Sequence, residues 1–149
     1  MIFAIVGTAP PFVGDAKGPS VEILPIADAV RDQIAALDRK ADIIVLLTHV
    51  GPPEDRKLIR ALPRVDILFG GHHHKRFASL DYDKGTKTVL QHSGFFGETV
   101  GEVVVTWDGR EITDRKARLV KITDDMLESE AVKAVREKYV PAKAAAGAT

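Results

Sequence analysis

The sequence predicts an α/β fold that starts as parallel strand–helix units and continues as antiparallel strands. Three observations predict it. Up to residue 70, apolar β-rich runs alternate with helical patterns over short connections, which is the signature of parallel packing. After residue 76 the pattern changes to β-rich segments separated by turn signals such as Asp83-Lys84-Gly85 and Asp108-Gly109. The chain is 149 residues long and 45% hydrophobic, enough for one domain with its own core.

The elements are taken in chain order. Ile2 to Gly7 predicts a short buried strand. Thr8 to Leu24 contains Pro10, Pro11, Gly14, Gly18 and Pro19 and is expected to be loop. Pro25 suits a helix start, and Ile26, Val30, Ile34 and Leu37 recur at helical spacing with Asp28, Arg31, Asp32 and Lys40 opposite. The continuous apolar run Asp42 to Leu47 predicts a strand covered on both faces. Pro52-Pro53 restarts the chain, Glu54 to Leu62 predicts a short helix, and Val65 to Phe69 the next strand. Phe77 to Tyr82, Thr86 to Gln91, Val100 to Trp107 and Glu111 to Ile122 are expected as antiparallel strands. The weak alternation of Val103, Val105 and Trp107 predicts burial on both faces. A helix over Asp124 to Tyr139, capped by Thr123 or Asp124, would pack through Met126, Leu127, Ala131, Val135 and Tyr139 and end at Pro141. Lys143 to Thr149 is expected as a frayed tail.

Composition narrows the function. Net charge is zero, which removes the electrostatic case for nucleic acid or an anionic membrane surface as partner. No 18-residue apolar run predicts a membrane span. There is no cysteine, hence no disulfide and no thiolate metal site. The first residues are apolar but short and lack a basic flank, so they do not form a secretory signal; the compartment stays unknown.

Histidine carries the chemistry. Three of the five are consecutive, His72-His73-His74, directly after a strand and Gly70-Gly71; His49 follows a neighbouring parallel strand. Carboxyl ends of parallel strands share one edge, where ligands bind, so the two loops can converge. Neutral imidazole is a ligand for Zn, Fe, Mn, Co or Ni. His72 and His74, two apart on an extended loop, would diverge, which suits two adjacent ions better than one. Gly70 and Gly71 permit a sharp turn and close backbone approach. The competing explanation is an accidental tract or a tag remnant; a tag sits at a terminus, whereas this tract sits mid-domain.

Asp42-Ile43-Ile44-Val45-Leu46-Leu47-Thr48-His49-Val50-Gly51 and Val65-Asp66-Ile67-Leu68-Phe69-Gly70-Gly71-His72-His73-His74 resemble the last two motif blocks of the calcineurin-like metallophosphoesterases, a lone His and then Gly-His-x-His. Gln91 to Gly101 and the strand through Asp108 resemble the next block and strand of the 5′-nucleotidase branch. The resemblance runs from Ile2 to about Tyr139. It implies a sandwich of two sheets flanked by helices, here a partial four-layer α/β/β/α fold. It also implies that His49 and His72 bind one divalent metal and His74 a second (Zn, Mn, Fe, Co or Mg). The paired ions would activate a bridging water or hydroxide for in-line attack on phosphorus. The substrate would be a phosphorylated small molecule such as a nucleotide. His73 holds the variable position and is expected to face solvent or act as a substitute ligand. His92, Phe95 and Phe96 are candidates for the substrate edge, with core packing the alternative for the two phenylalanines. Asp66 is expected to cap or pair near its strand.

The departures matter equally. The family's upstream blocks are an Asp-x-His, a Gly-Asp that bridges the ions, and a Gly-Asn-His; none is present with its companions. The one Gly-Asp is Gly14-Asp15, in the Pro/Gly loop, and the sequence has no Asn. Without the bridging carboxylate two dications repel, so the chain alone is expected to bind one metal or none, to provide no catalytic residue itself, and to be weak or inactive. Residues 1–123 are read as the carboxyl-terminal half of a catalytic domain and 124–149 as a linker helix and tail, clipped at both ends. The alternatives are a non-catalytic module holding one Zn-like ion through His49, His72 and His74, and a metal-free remnant. An exposed sheet edge is expected to drive association. The branch is often periplasmic or extracellular.

Overall fold

The computed structural model describes residues 1–10, 23–37 and 39–139. Most of the expected Pro/Gly loop, including Gly14-Asp15, and the tail from residue 140, including Pro141, lie outside the described residues.

Five strands form the central sheet: β1 (Phe3–Gly7), β2 (Ile43–Thr48), β3 (Ile67–Gly70), β4 (Asp81–Asp83) and β5 (Thr88–His92), in the spatial order β1-β2-β3-β5-β4. Helices α1 (Ile26–Leu37) and α2 (Pro52–Ala61) connect the first three strands, which run parallel. A separate antiparallel hairpin comes next, β6 (Thr99–Trp107) and β7 (Ile112–Lys121), and then α3 (Glu130–Tyr139). This is an α/β architecture, a mostly parallel sheet followed by an antiparallel hairpin, as the sequence pattern predicts.

Alternation along β2 explains the layers. Side chains of successive strand residues point to opposite faces. Ile44 and Leu46 join Val30 and Ile34 of α1, Leu58 and Ile59 of α2, Leu68 and Leu90 in one core. Ile43 and Val45 face the other way and pack with Ile67 and Ile112, against Val103, Val105 and Trp107 of the hairpin. A strand buried on both faces is the reason for the unbroken apolar run. The Pro25 carbonyl accepts the first backbone bonds of α1, from Asp28 and Ala29. Asp66 behaves as expected: Oδ2 accepts from the Ile44 backbone N–H at 2.8 Å and from Arg64 Nε at 3.2 Å.

Several expectations are corrected. β5 is parallel to β3, not antiparallel; residues 71–87 are long enough for the crossover that a parallel pairing needs. The strand expected over Phe77 to Tyr82 contracts to Asp81–Asp83, antiparallel to β5. β1 is not buried: among the described residues it is paired on one side only, and Phe3 and Ile5 are exposed while Ala4 is covered. The β6 alternation is a true one, with Val103 and Val105 against the core and Val100 and Val104 exposed. The last helix starts six residues later than expected and buries none of its residues; Met126, Leu127, Val135 and Tyr139 are exposed.

β4 is tied to α2 by charge. Arg56 pairs with Asp81, and Arg60, one turn on, with Asp83 at 2.8 Å. The Asp83 carboxylate also accepts the Gly85 and Thr86 N–H groups, each at 3.0 Å. The Thr86 N–H first, and Arg60 next, hold its carboxyl below the usual aspartate range. A carboxylate with a lowered native pKa contributes stability that is complete above its unfolded pKa and is lost as pH falls through the native value. Asp83→Asn is therefore expected to flatten the loss of stability from about pH 4 downward, read from urea midpoints across the acid range. An unchanged acid slope would contradict this.

Candidate metal centre

The parallel register brings three residues side by side at the carboxyl edge of the sheet. Thr48 of β2 is opposite Gly70 of β3, and Gly70 is opposite His92 of β5. Each strand then releases a loop on the same edge. The Gly71 N–H donates to the Thr48 carbonyl at 3.1 Å, holding the two loops together one residue beyond the strands.

His49, exposed, and His72, half-buried, meet there. Their ring centroids are 5.2 Å apart, edge to face. Gly71 allows this approach, because a Cβ at that position would lie 2.8 Å from His49 Nδ1. The His73 ring is 5.0 Å from that of His72 and lies over Gly51, the residue before α2; a Cβ on Gly51 would come within 2.5 Å of His73 Nδ1. His73 is exposed, as expected, with its ring against Gly51. His74 does not join the pair. Its ring stacks on Phe95 at 5.0 Å and 21°, with Phe96 at 6.4 Å. Arg76 in turn lies 5.1 Å over the Phe95 ring and pairs with Glu98. His72 and His74 both have positive φ, 85° and 53°, a conformation that costs a non-glycine residue and persists only where the surroundings enforce it.

The expected substrate-edge residues divide between exposed and buried positions. Phe96 is 90% exposed, again at positive φ, and Phe95 is half-buried. His92 is not at the mouth: it is 1% exposed and forms the floor. Its Nε2 lies 2.9 Å from Asp55 Oδ2, in an alignment that completes a hydrogen bond for neither atom. Asp55 is fully buried, and its other oxygen accepts from Thr48 Oγ1 at 2.6 Å. Gly70 makes room for this cluster, since a Cβ there would sit 2.3 Å from His92 Cε1 and 2.5 Å from Asp55 Oδ2. Sequence reasoning missed Asp55 and Thr48. The available signal was a carboxylate three and four residues before the apolar Leu58 and Ile59, hence on the buried stripe of α2.

The donor set tests the expected metal in part. Two imidazoles this close can share one ion at metal–nitrogen distances of ~2.0–2.1 Å. The third is engaged on Phe95. Among the described residues, no three His, Asp or Glu side chains form a group able to hold a metal ion.

No family model matches the sequence. Among curated proteins the chain is 28% identical over 109 residues to the uncharacterized metallophosphoesterase YunD of Bacillus subtilis, covering 72% of this chain and 23% of that protein. It is 23% identical over 116 residues to the trifunctional nucleotide phosphoesterase YfkN of the same organism, 74% of this chain and 8% of that one. Its fold is shared with a 5′-nucleotidase precursor from Thermus thermophilus (TM-score 0.66, 24% identity, 81% of this chain and 28% of that). It is shared also with the Thermus sulfate thiohydrolase SoxB (TM-score 0.76, 20% identity, 91% and 26%). In sequence the chain is similar to metallophosphoesterases, and its fold is that of these larger enzymes. The chain spans less than a quarter of the length of either curated relative.

Gly70→Ala would push a methyl into His92 and Asp55, both buried and unable to swing away. It is expected to destabilise the fold by about 1–3 kcal/mol, the usual cost of overpacking. Phe96→Ser, at an exposed rim position, should stay within about 0.5 kcal/mol. Chemical denaturation of both variants checks the contrast; equal midpoints would refute it.

Proposed function

We propose that this chain contributes the carboxyl-terminal part of a two-metal phosphoester hydrolase centre. His49, His72 and His74 are metal ligands, and the bridging carboxylate and remaining ligands come from residues outside these 149. The carrying observation is the pairing of His49 and His72 at the carboxyl edge of adjacent parallel strands, in a chain similar to a metallophosphoesterase. When bound, the ions would activate a water and clamp phosphate oxygens. The chain's own residues hold the ligands: Thr48 anchors the His49 loop through Gly71. Turning His74 off Phe95 would give the second ion its ligand. The names of YfkN and the Thermus 5′-nucleotidase support a nucleotide or similar phosphorylated small molecule as substrate.

The stacking of His74 on Phe95 favours a second reading, a module that binds one Zn-like ion through His49 and His72 without catalysis. Zn(II) titration by calorimetry, with hydrolysis of a phosphodiester and of AMP, separates the two. The 149-residue chain is expected to bind a single ion and to turn over neither substrate. His49→Ala and His72→Ala should each weaken binding at least tenfold, the lower end of what disturbing a metal site usually costs, with His73→Ala near neutral. If the hydrolase reading holds, supplying the missing Asp-x-His and Gly-Asn-His blocks on a second polypeptide restores hydrolysis. Robust turnover by the chain alone would refute the shared-site proposal. Equal Zn(II) affinity in all variants would refute the ligand assignment.

The outside part would also cover Phe3, Ile5 and Leu47, which extend the apolar face of the sheet beyond the hairpin and are 47%, 67% and 42% exposed. Left bare beside the side of β1 that has no strand partner among the described residues, this face is expected to drive self-association. Light scattering should show association that Ile5→Lys reduces; a monodisperse parent chain would contradict it.

A further inference from the structure

We infer that His92 and Asp55 are positioning residues, a buried clamp that sets how the His49 loop and the Gly71-His72 loop meet. The inference rests on reading that edge as the metal centre, but concerns contacts present without a metal.

The clamp spans four elements. Asp55 comes from α2, Thr48 from the end of β2, Gly70 from the end of β3 and His92 from the end of β5. Asp55 and His92 are 0% and 1% exposed, and their facing atoms are 2.9 Å apart. Burying such a pair is costly, and a well-packed apolar pair would often be as stable or more so. What the pair does instead is fix register. Through the 2.6 Å bond to Thr48 Oγ1, Asp55 holds the residue that precedes His49. The Thr48 carbonyl holds Gly71, which precedes His72. The bare Cα of Gly70 lets His92 and Asp55 reach across β3 to each other. Phe77, 4.8 Å from the His92 ring, closes the far side. Two side chains that act on His49 and His72 through Thr48 and Gly71 therefore govern both loops. Residues that orient metal ligands typically change affinity 10–100-fold when lost.

The test uses the whole chain and two readouts. The first is metal-free: the NOE between the His49 and His72 rings and their imidazole ¹⁵N shifts. The second is Co(II) affinity from visible absorption. His92→Ala is expected to abolish the inter-ring NOE and to weaken Co(II) binding 10–100-fold, while His92→Gln, whose amide can donate to Asp55, recovers most of both. Val89→Ala, a buried change in the same strand away from the edge, should lower stability without moving either readout. Thr48→Val, nearly isosteric, removes only the hydroxyl link and should weaken the NOE; it decides the matter alone if His92→Ala fails to fold. An NOE that survives both changes overturns the inference, as does an equal loss in Val89→Ala. Should the parent chain bind no Co(II) while the NOE still depends on His92, the clamp stands and the metal reading falls.

Discussion

The carboxylate of Asp55 is the interaction on which the edge of the sheet depends. A polar group removed from water needs partners; Asp55 accepts a hydrogen bond from Thr48 of β2, and its other oxygen faces His92 of β5 at 2.9 Å without completing one. Those strands are separated by β3, so the contact exists only because β3 ends in a residue without a side chain. Gly70 is thus as much a part of the cluster as the groups that touch across it. The parallel register supplies the rest. With Thr48, Gly70 and His92 aligned, the loops beyond them leave the sheet together, and His49 and His72 become neighbours although they are distant in sequence.

The two cores explain why this edge is firm while the opposite flank is open. Helices α1 and α2 cover one face of the sheet, and the β6–β7 hairpin covers part of the other. The hairpin reaches Ile43, Val45 and Ile67 but leaves Leu47, Phe3 and Ile5 exposed. Apolar residues left open at a sheet margin are ordinary singly and informative together. Here they adjoin the only side of β1 that has no strand partner among the described residues, and they lie on the face that two stacked sheets would bury.

Much of this is legible in the sequence. The order of strands and helices comes from apolar runs and their period, and the histidine loops are placed by the strands that precede them. What escapes is what periodicity does not encode. The pattern Thr88 to His92 says that a strand is buried, not whether its neighbour runs with or against it; that depends on the path of residues 71–87. Phe3 and Ile5 look like core because apolar residues usually have company, and their exposure depends on what lies beyond β1. His92 reads as a rim residue from its place in a motif, whereas a carboxylate on the neighbouring helix draws it under the floor. Asp55 itself looks like a surface acid in a helix's first turn. Its burial becomes visible only when its spacing to Leu58 and Ile59 is taken as seriously as the apolar residues themselves.

Two obstacles separate this edge from a two-metal centre, and their sizes differ greatly. One is conformational: His74 lies on Phe95 instead of facing the His49–His72 pair. An aromatic stack of this kind contributes about 0.5–1.5 kcal/mol, far less than the ~10–16 kcal/mol with which structural zinc sites bind their ion. The other is electrostatic. Two dications ~3.5–4 Å apart repel by on the order of 15–20 kcal/mol even at an effective dielectric of ~20. Neutral imidazoles do nothing to cancel that charge. Asp55 at this edge is buried, bonded to Thr48 and faced by His92, whereas Glu54, one residue earlier on α2, lines an open pocket with Val50 and His72. A two-ion site at this edge would need an anionic ligand beside the imidazoles.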